Sequence, residues 1–223
     1  MLTGYNCPPA LLFDVKQPGC SNWIDETLAY LENNNSIENV LLGFRDSAYL
    51  FGDQLGSYPE IPNQNPNHQF TDSYQSSKAE DLREIYWQSY SELIARLLKS
   101  GKTVYLLYPI PELPVHISKA VVPFSVFGNK TMLDLEKSTT SDYYLRRNSF
   151  ILSKLDTLQY GKKLHAIKPF EILCDFNYCP AASNGKALYF DDDHLSTTGA
   201  AKLIANSTIF DYKKTNNSIN TDG

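Results

Sequence analysis

The chain has 223 residues, of which 42% are hydrophobic, which is enough for one domain with an ordinary core. Its formal net charge is -5, and its 20 Lys and Arg residues form no cluster, which argues against a nucleic-acid partner. No apolar run approaches the roughly 20 residues that cross a bilayer, and residues 1–15 lack the pattern of an export signal.

Continuous apolar runs alternate with helical periodicity along the chain. In order, the pattern predicts a helix over 22–32, a strand over 40–44, a long polar loop over 52–77, a helix over 79–99, a strand over 103–108, loop with some short helix over 112–140, a helix over 142–158, a strand over 164–167 and a closing helix over 197–207. This alternation indicates an α/β fold whose parallel sheet is covered by helices on both sides. We place the domain at 1–210 and expect the polar tail over 211–223 to be disordered.

Four cysteines form two local groups, Cys7 with Cys20 and Cys174 with Cys179. Their spacing matches no standard zinc motif, and both groups include a cysteine followed by proline, so we favour two short disulfide loops. Four cysteines allow three connectivities, and the sequence alone does not select one. Disulfides would place the chain in an oxidising compartment. The alternative is four buried free thiols in a cytosolic protein.

The run of three aspartates that ends in His194 is the most informative motif, because Asp191 and His194 stand three residues apart before a helix start. If Ser196 caps that helix, the Asp191 carboxylate can reach the His194 ring, select its tautomer and stabilise the imidazolium. The pattern then supplies a general base and its orienting acid. The alternative is a solvated turn that caps a helix. We reject a metal ion here, because no second ligand cluster has suitable spacing.

Arg45 follows the first predicted strand, at the carboxyl edge where parallel sheets bind ligands. It is therefore a candidate to contact the substrate or an oxyanion, and an ordinary surface ion pair is the alternative. Ser47 follows the same strand, but we expect a surface serine rather than a nucleophile. The other histidines, His68, His116 and His165, are weaker candidates because their sequence surroundings suggest loop or structural roles.

The closing segment resembles a known family. Its residues run from Leu173-Cys174 through Cys179-Pro180, Gly185, Leu188-Tyr189 and Asp191-Asp192-Asp193-His194-Leu195-Ser196 to Gly199-Ala200. They are similar to the end of the SGNH domain that follows the membrane domain in acyltransferase-3 type O-acetyltransferases. Further segments resemble that domain in the same order: Cys7-Pro8-Pro9 with Cys20, the strand leading to Arg45, Tyr105 to Pro114, and Tyr144 to Arg147.

The resemblance implies a three-layer α/β/α fold of the SGNH-hydrolase type, located in the periplasm as part of a membrane-anchored protein. It implies transfer of an acyl group, an O-acetyl group above all, to cell-surface carbohydrate such as lipopolysaccharide O-antigen, by a Ser-His-Asp mechanism that needs no cofactor. Asp191 and His194 match the family's acid and base. The implied partners are an acyl-donating membrane acyltransferase domain and a surface polysaccharide acceptor.

The sequence departs from the family pattern at the nucleophile. The family's serine lies in a Gly-Asp-Ser-His block on the first strand, and no Gly-Asp-Ser occurs in this chain. We therefore expect the fold to lack its first strand, Met1 to be an internal start, and the isolated chain to be nearly inactive. A carbohydrate esterase, or a domain that binds carbohydrate or a partner without catalysis, is the alternative function.

Overall fold

The computed structural model describes residues 7–62, 79–120 and 134–207. The helices are α1 (Cys20–Asn33), α2 (Asp46–Phe51), α3 (Ala79–Lys99), α4 (Ile117–Ala120), α5 (Ser141–Arg147), α6 (Ser149–Leu155), α7 (Pro169–Leu173) and α8 (Thr197–Ala205). The strands are β1 (Asn39–Gly43), β2 (Thr103–Leu107), β3 (Thr139–Thr140), β4 (Leu164–Ile167), β5 (Tyr178–Cys179), β6 (Ala182–Ser183) and β7 (Lys186–Ala187).

The chain folds as two compact units. Unit 1 comprises Met1–Asp53, Pro62–Leu107 and Asn148–Ala166, and unit 2 comprises Gln54–Ile61, Tyr108–Arg147 and Ile167–Gly223. Unit 1 therefore contains Arg45, whereas the Asp191 to His194 turn belongs to unit 2.

A parallel sheet with the strand order β1-β2-β4 forms the framework of unit 1. β1 and β2 pair in parallel from Asn39 opposite Thr103 to Gly43 opposite Leu107. The side chains of Val104 and Leu106 on β2 are fully buried, as expected for a strand inside a covered sheet. The predicted α/β fold with a parallel sheet is confirmed.

Helix α3 supplies much of the core of unit 1, and it contacts β2 and α1. Its buried side chains recur at helical spacing, which explains why the sequence predicts its bounds. They are Leu82, Tyr86, Tyr90, Leu93, Ile94 and Leu97. The helix is followed by Gly101, whose φ of 84° is readily adopted only by glycine, and the Gly101 N–H bonds back to the Leu98 carbonyl.

Both predicted disulfides are present. Cys7–Cys20 closes a loop with a sequence separation of 13 in unit 1, and Cys174–Cys179 closes one with a separation of 5 in unit 2. All four cysteines are thereby paired, which confirms local pairing over the free-thiol alternative.

Unit 2 is organised around a compact apolar cluster under the Asp191 to His194 turn. The cluster joins residues before α4, α4 itself and the segment that leads into the turn, and its buried members are Leu113, Ile117, Ala120, Ala181, Leu188 and Tyr189. Two short antiparallel ladders, β3 with β5 and β6 with β7, complete the backbone pairing described for this unit. The residues that lead into the turn are therefore packed in the apolar cluster.

The structure divides one of the predicted helices and adds short elements that the sequence does not predict. The helix predicted over 142–158 is two helices, α5 and α6, which meet at Asn148, where unit 2 gives way to unit 1. The short helices α2 and α7 and the short strands β3, β5, β6 and β7 were not predicted. His68, the tail over 211–223 and residues 63–77 of the predicted loop lie outside the described residues. Among those that are described, no helix has the length and apolarity needed to cross a membrane.

Candidate active site

The acidic turn of unit 2 is a closed loop between two paired residues. Tyr189 and Leu195 form an isolated antiparallel bridge, and the Phe190 N–H donates to the His194 carbonyl at 2.8 Å. Tyr189 is buried, so the bridge anchors the base of the loop in the apolar cluster. Asp191 and His194 are thus held on one short turn.

The Asp191 carboxylate binds both the backbone of the turn and the histidine ring. Its Oδ1 accepts from the backbone N–H groups of His194 at 2.7 Å and Asp193 at 3.0 Å. Its Oδ2 lies 2.7 Å from His194 Nδ1. An ionised carboxylate only accepts hydrogen bonds, so Nδ1 carries the proton and the neutral ring keeps Nε2 as an acceptor. The hydrogen bond that the spacing predicts is present.

A second carboxylate contacts the same ring nitrogen. Asp193 Oδ1 lies 3.0 Å from His194 Nδ1. The sequence pattern assigned the orienting role to Asp191 alone. The position of Asp193, directly before the histidine, could have indicated this second contact. When Nε2 takes up a proton, the His194 ring becomes an imidazolium. The carboxylates of Asp191 and Asp193 would both stabilise that cation.

The Asp191 carboxyl is held in its ionised form. Burial favours the neutral acid, but the hydrogen bonds from the backbone of His194 and Asp193, and then from the His194 ring, outweigh it and lower the pKa of Asp191 from 3.8 to about 2. The His194 side chain is 73% exposed, whereas that of Asp191 is 20% exposed. The ring is therefore fixed at Nδ1 and open to an incoming group at its other end.

Helix α8 begins directly after the turn and fixes its exit. Ser196 is the N-cap, and its Oγ accepts from the Gly199 N–H at 3.1 Å, as predicted. The same Oγ donates to the Ala187 carbonyl at 2.7 Å, and the Ser196 N–H donates to the Leu188 carbonyl at 2.9 Å. A Cβ at position 199 would overlap the Leu188 carbonyl oxygen, so only glycine lets α8 approach so closely.

The comparison with protein-family models covers this turn and nearly all the rest of the chain. Residues 1–206 match the model of the SGNH domain described as fused to AT3 domains. The chain belongs to this SGNH family. The fold of the SGNH domain is also similar to a solved structure, the Salmonella ser. Paratyphi A lipopolysaccharide acetyltransferase periplasmic domain.

That similarity has a TM-score of 0.58 and 14% sequence identity, and it covers 93% of this chain and 69% of the other. It shows the fold. A search of the curated proteins found no match to the SGNH domain.

The other candidate residues of the SGNH domain are distant from the turn in sequence, and each contacts residues of its own neighbourhood. Arg45, at the N-cap of α2, places Nη2 3.4 Å from Asp53 Oδ1, which is the ion pair expected as the alternative to a substrate contact. Ser47 is 4% exposed, so the expectation of a surface serine is wrong; the start of α2 buries it. His165 stacks on Tyr105 with ring centroids 4.9 Å apart, which agrees with a structural role.

A metal site in the SGNH domain has to be judged on the turn itself. One ligand atom from each of Asp191, Asp193 and His194 lies within 4.8 Å of the other two. Contacts of the turn already occupy His194 Nδ1, since oxygens of Asp191 and Asp193 lie 2.7 Å and 3.0 Å from it, so a metal bound at Nδ1 would displace the proton there. That the turn holds no metal stays a prediction.

Proposed function

We propose that this SGNH domain carries out acyl transfer, with His194 as the general base and Asp191 as the acid that orients it. The observation that supports the proposal is the 2.7 Å contact between Asp191 Oδ2 and His194 Nδ1, on a ring whose far end is exposed. This arrangement leaves Nε2 free to take a proton from a hydroxyl group. Asp193 adds a second negative group on the same side.

The nucleophile of the proposed reaction is the serine of the family's Gly-Asp-Ser block, a triplet that the 223 residues do not contain. The serine oxygen attacks the acyl carbonyl while its proton moves to His194 Nε2. The tetrahedral intermediate expels the donor's leaving group, which takes that proton. An acceptor hydroxyl then attacks the acyl-serine, and His194 transfers the acceptor's proton back to the serine. Asp191 stays ionised throughout.

The acceptor that we propose is a cell-surface polysaccharide, and the transferred group is acetyl. Three observations support this choice: the family's domains are fused to AT3 domains, the similar solved structure is the periplasmic domain of a lipopolysaccharide acetyltransferase, and both disulfides suit an oxidising compartment. We further propose that an AT3 membrane domain supplies the acyl group.

The test places His194→Ala and Asp191→Asn in the gene of the source organism and measures acetyl groups per repeat unit of the isolated surface polysaccharide by ¹H NMR. We expect both variants to fall toward the level of a gene deletion, with His194→Ala the more severe. His165→Ala is the matched control, because it removes a ring that stacks on Tyr105 and should leave acetylation unchanged.

Two results would contradict the proposal. Wild-type acetylation in His194→Ala would exclude this histidine as the base. Acetylation that is the same in the wild type and the gene deletion would exclude the polysaccharide as the acceptor. More acetyl groups in the deletion would instead identify a carbohydrate esterase that uses the same two residues.

A further inference from the structure

The middle residue of the acidic turn, Asp192, is buried, whereas the histidine is exposed. Asp192 is 6% exposed, although its sequence neighbours Asp191 and Asp193 reach the exposed His194 ring. A buried carboxylate is costly unless polar groups surround it. The groups that meet Asp192 therefore determine how the whole turn is oriented.

Gln54 provides one of these groups. Its side chain is fully buried, and Nε2 donates to Asp192 Oδ2 at 3.0 Å and to the Leu113 carbonyl at 3.1 Å. The two N–H groups of one amide thus join the turn to the segment before α4. All three residues belong to unit 2.

Backbone hydrogen bonds complete the connection between that segment and the turn. The Leu113 N–H donates to the Asp192 carbonyl at 2.7 Å, and the Ile117 N–H donates to the Asp191 carbonyl at 3.1 Å. Gln54 and Leu113 together therefore hold Asp192 through both its side chain and its main chain. Rotation of the turn about its own axis would break these contacts together.

The segment that receives the turn is itself anchored in unit 2. Glu112, directly before Leu113, forms a buried ion pair with Arg147. The Thr139 hydroxyl donates to the Glu112 carbonyl at 2.8 Å. These contacts make the segment a fixed support, so a change at Gln54 is transmitted to the turn and not absorbed by a mobile loop.

We propose that Gln54 is a positioning residue for the Asp191–His194 pair, acting through the buried Asp192 carboxylate. Without the Gln54 donor, the buried Asp192 carboxylate has one fewer hydrogen bond. It then lowers its free energy by turning toward water, which can replace that bond. Because Asp192 lies between Asp191 and His194 in the loop, its rotation changes the backbone between them and so moves Asp191 Oδ2 away from His194 Nδ1. The expected loss of catalysis rests on the proposed function, whereas the expected change in the tautomer of the His194 ring does not.

The experiment measures the tautomer of the His194 ring in the full 223-residue chain by long-range ¹H–¹⁵N correlation NMR at a pH where the ring is neutral. His194→Ala assigns the signal among the 4 histidines. In the wild type we expect the Nδ1–H tautomer, which Asp191 selects. In Gln54→Met, which keeps the length of the side chain but has no donor, we expect a shift toward the Nε2–H tautomer that imidazole prefers in water.

Three variants make the result specific. Asp192→Asn should keep the wild-type tautomer, since an asparagine oxygen can still accept from Gln54. Ser141→Ala removes another hydrogen bond of unit 2, from its hydroxyl to the Asp175 carbonyl, and should also keep it. Gln54→Asn, which withdraws the amide by one methylene, should show the same shift as Gln54→Met and serves if Gln54→Met does not fold.

A folded Gln54 variant with the wild-type tautomer would overturn the inference, and so would a wild type that lacks the Nδ1–H form. Acetylation of the polysaccharide in the source organism gives a separate readout, because a gene that carries Gln54→Met should transfer acetyl groups about 10- to 100-fold more slowly, as misplacement of a catalytic group does. If the tautomer shifts but the wild type and the gene deletion carry equally acetylated polysaccharide, the proposed function fails and the positioning role stands.

Discussion

Replacing the buried Asp46 carboxyl by an amide should change how the free energy of unfolding depends on pH. Asp46 is the first residue of α2 in unit 1 and is 1% exposed. Its Oδ1 accepts from the Tyr86 hydroxyl at 2.6 Å, whereas Oδ2 has no hydrogen-bond partner in the described part of the chain. Burial, opposed by the Tyr86 hydrogen bond, raises the pKa of Asp46 from 3.8 to about 7.

A raised pKa means that the folded chain keeps a proton that the unfolded chain releases. The contribution to stability is therefore complete below about pH 4 and is lost as the pH rises through about 7. The rise in the pKa of Asp46 from 3.8 to about 7 corresponds to a loss of about 4 kcal/mol in the free energy of unfolding between low and neutral pH. Asp46→Asn cannot ionise, and its oxygen can still accept from Tyr86, so the variant should lack this loss and exceed the wild type in stability near neutral pH.

The assay is urea unfolding of the wild-type chain and of Asp46→Asn, followed by tryptophan fluorescence at several pH values between about 4 and 8. The difference in free energy between the two proteins should change by several kcal/mol in favour of the variant as the pH rises. Asp53→Asn is the control, because that carboxylate is 55% exposed and its replacement should give a nearly constant difference. A constant difference for Asp46→Asn would refute the reasoning.

Three further predictions concern the turn, α8 and the first disulfide. Asp191→Asn in the gene of the source organism should lower the acetyl content of the polysaccharide, because the wrong histidine tautomer slows acyl transfer roughly 10²- to 10⁴-fold. In the isolated chain, urea unfolding should show that the variant lacks the loss of stability that the wild type shows as the pH falls from 3.8 toward about 2. Gly199→Ala should lower the free energy of unfolding by about 1–3 kcal/mol, because the added Cβ overlaps the Leu188 carbonyl oxygen. An unchanged midpoint of urea unfolding would contradict the close approach of α8 to Leu188. Replacing Cys7 and Cys20 together by alanine should cost about 3 kcal/mol for the open loop, and a loss below about 1 kcal/mol would argue against the chain-entropy account.

The elements that the sequence predicts well are those whose signal is local. The apolar stripe of α3 and the glycine after it define that helix without reference to the rest of the chain. The same holds for the Ser196 cap and for the spacing of Asp191 and His194, because the partners lie within one turn of backbone. The grouping of the cysteines favoured local pairing, but only the structure selected it among the three possible connectivities.

Where partners are far apart in sequence, the prediction fails or is silent. The helix predicted over 142–158 has continuous apolar spacing, yet it ends at Arg147, whose charge is buried against Glu112, 35 residues earlier. Ser47 was expected at the surface because no local signal shows that the start of α2 is buried. Gln54 lies in a segment whose composition suggested only a polar loop.

Sequence alone determined the chemistry available at the turn, since it places a carboxylate three residues before a histidine, within reach of the ring. Tertiary structure alone decided the orientation of that turn. Gln54 and Asp192 are 138 residues apart, and their hydrogen bond forms only after unit 2 has packed. The free energy that offsets the buried carboxylate comes from contacts that no local pattern encodes.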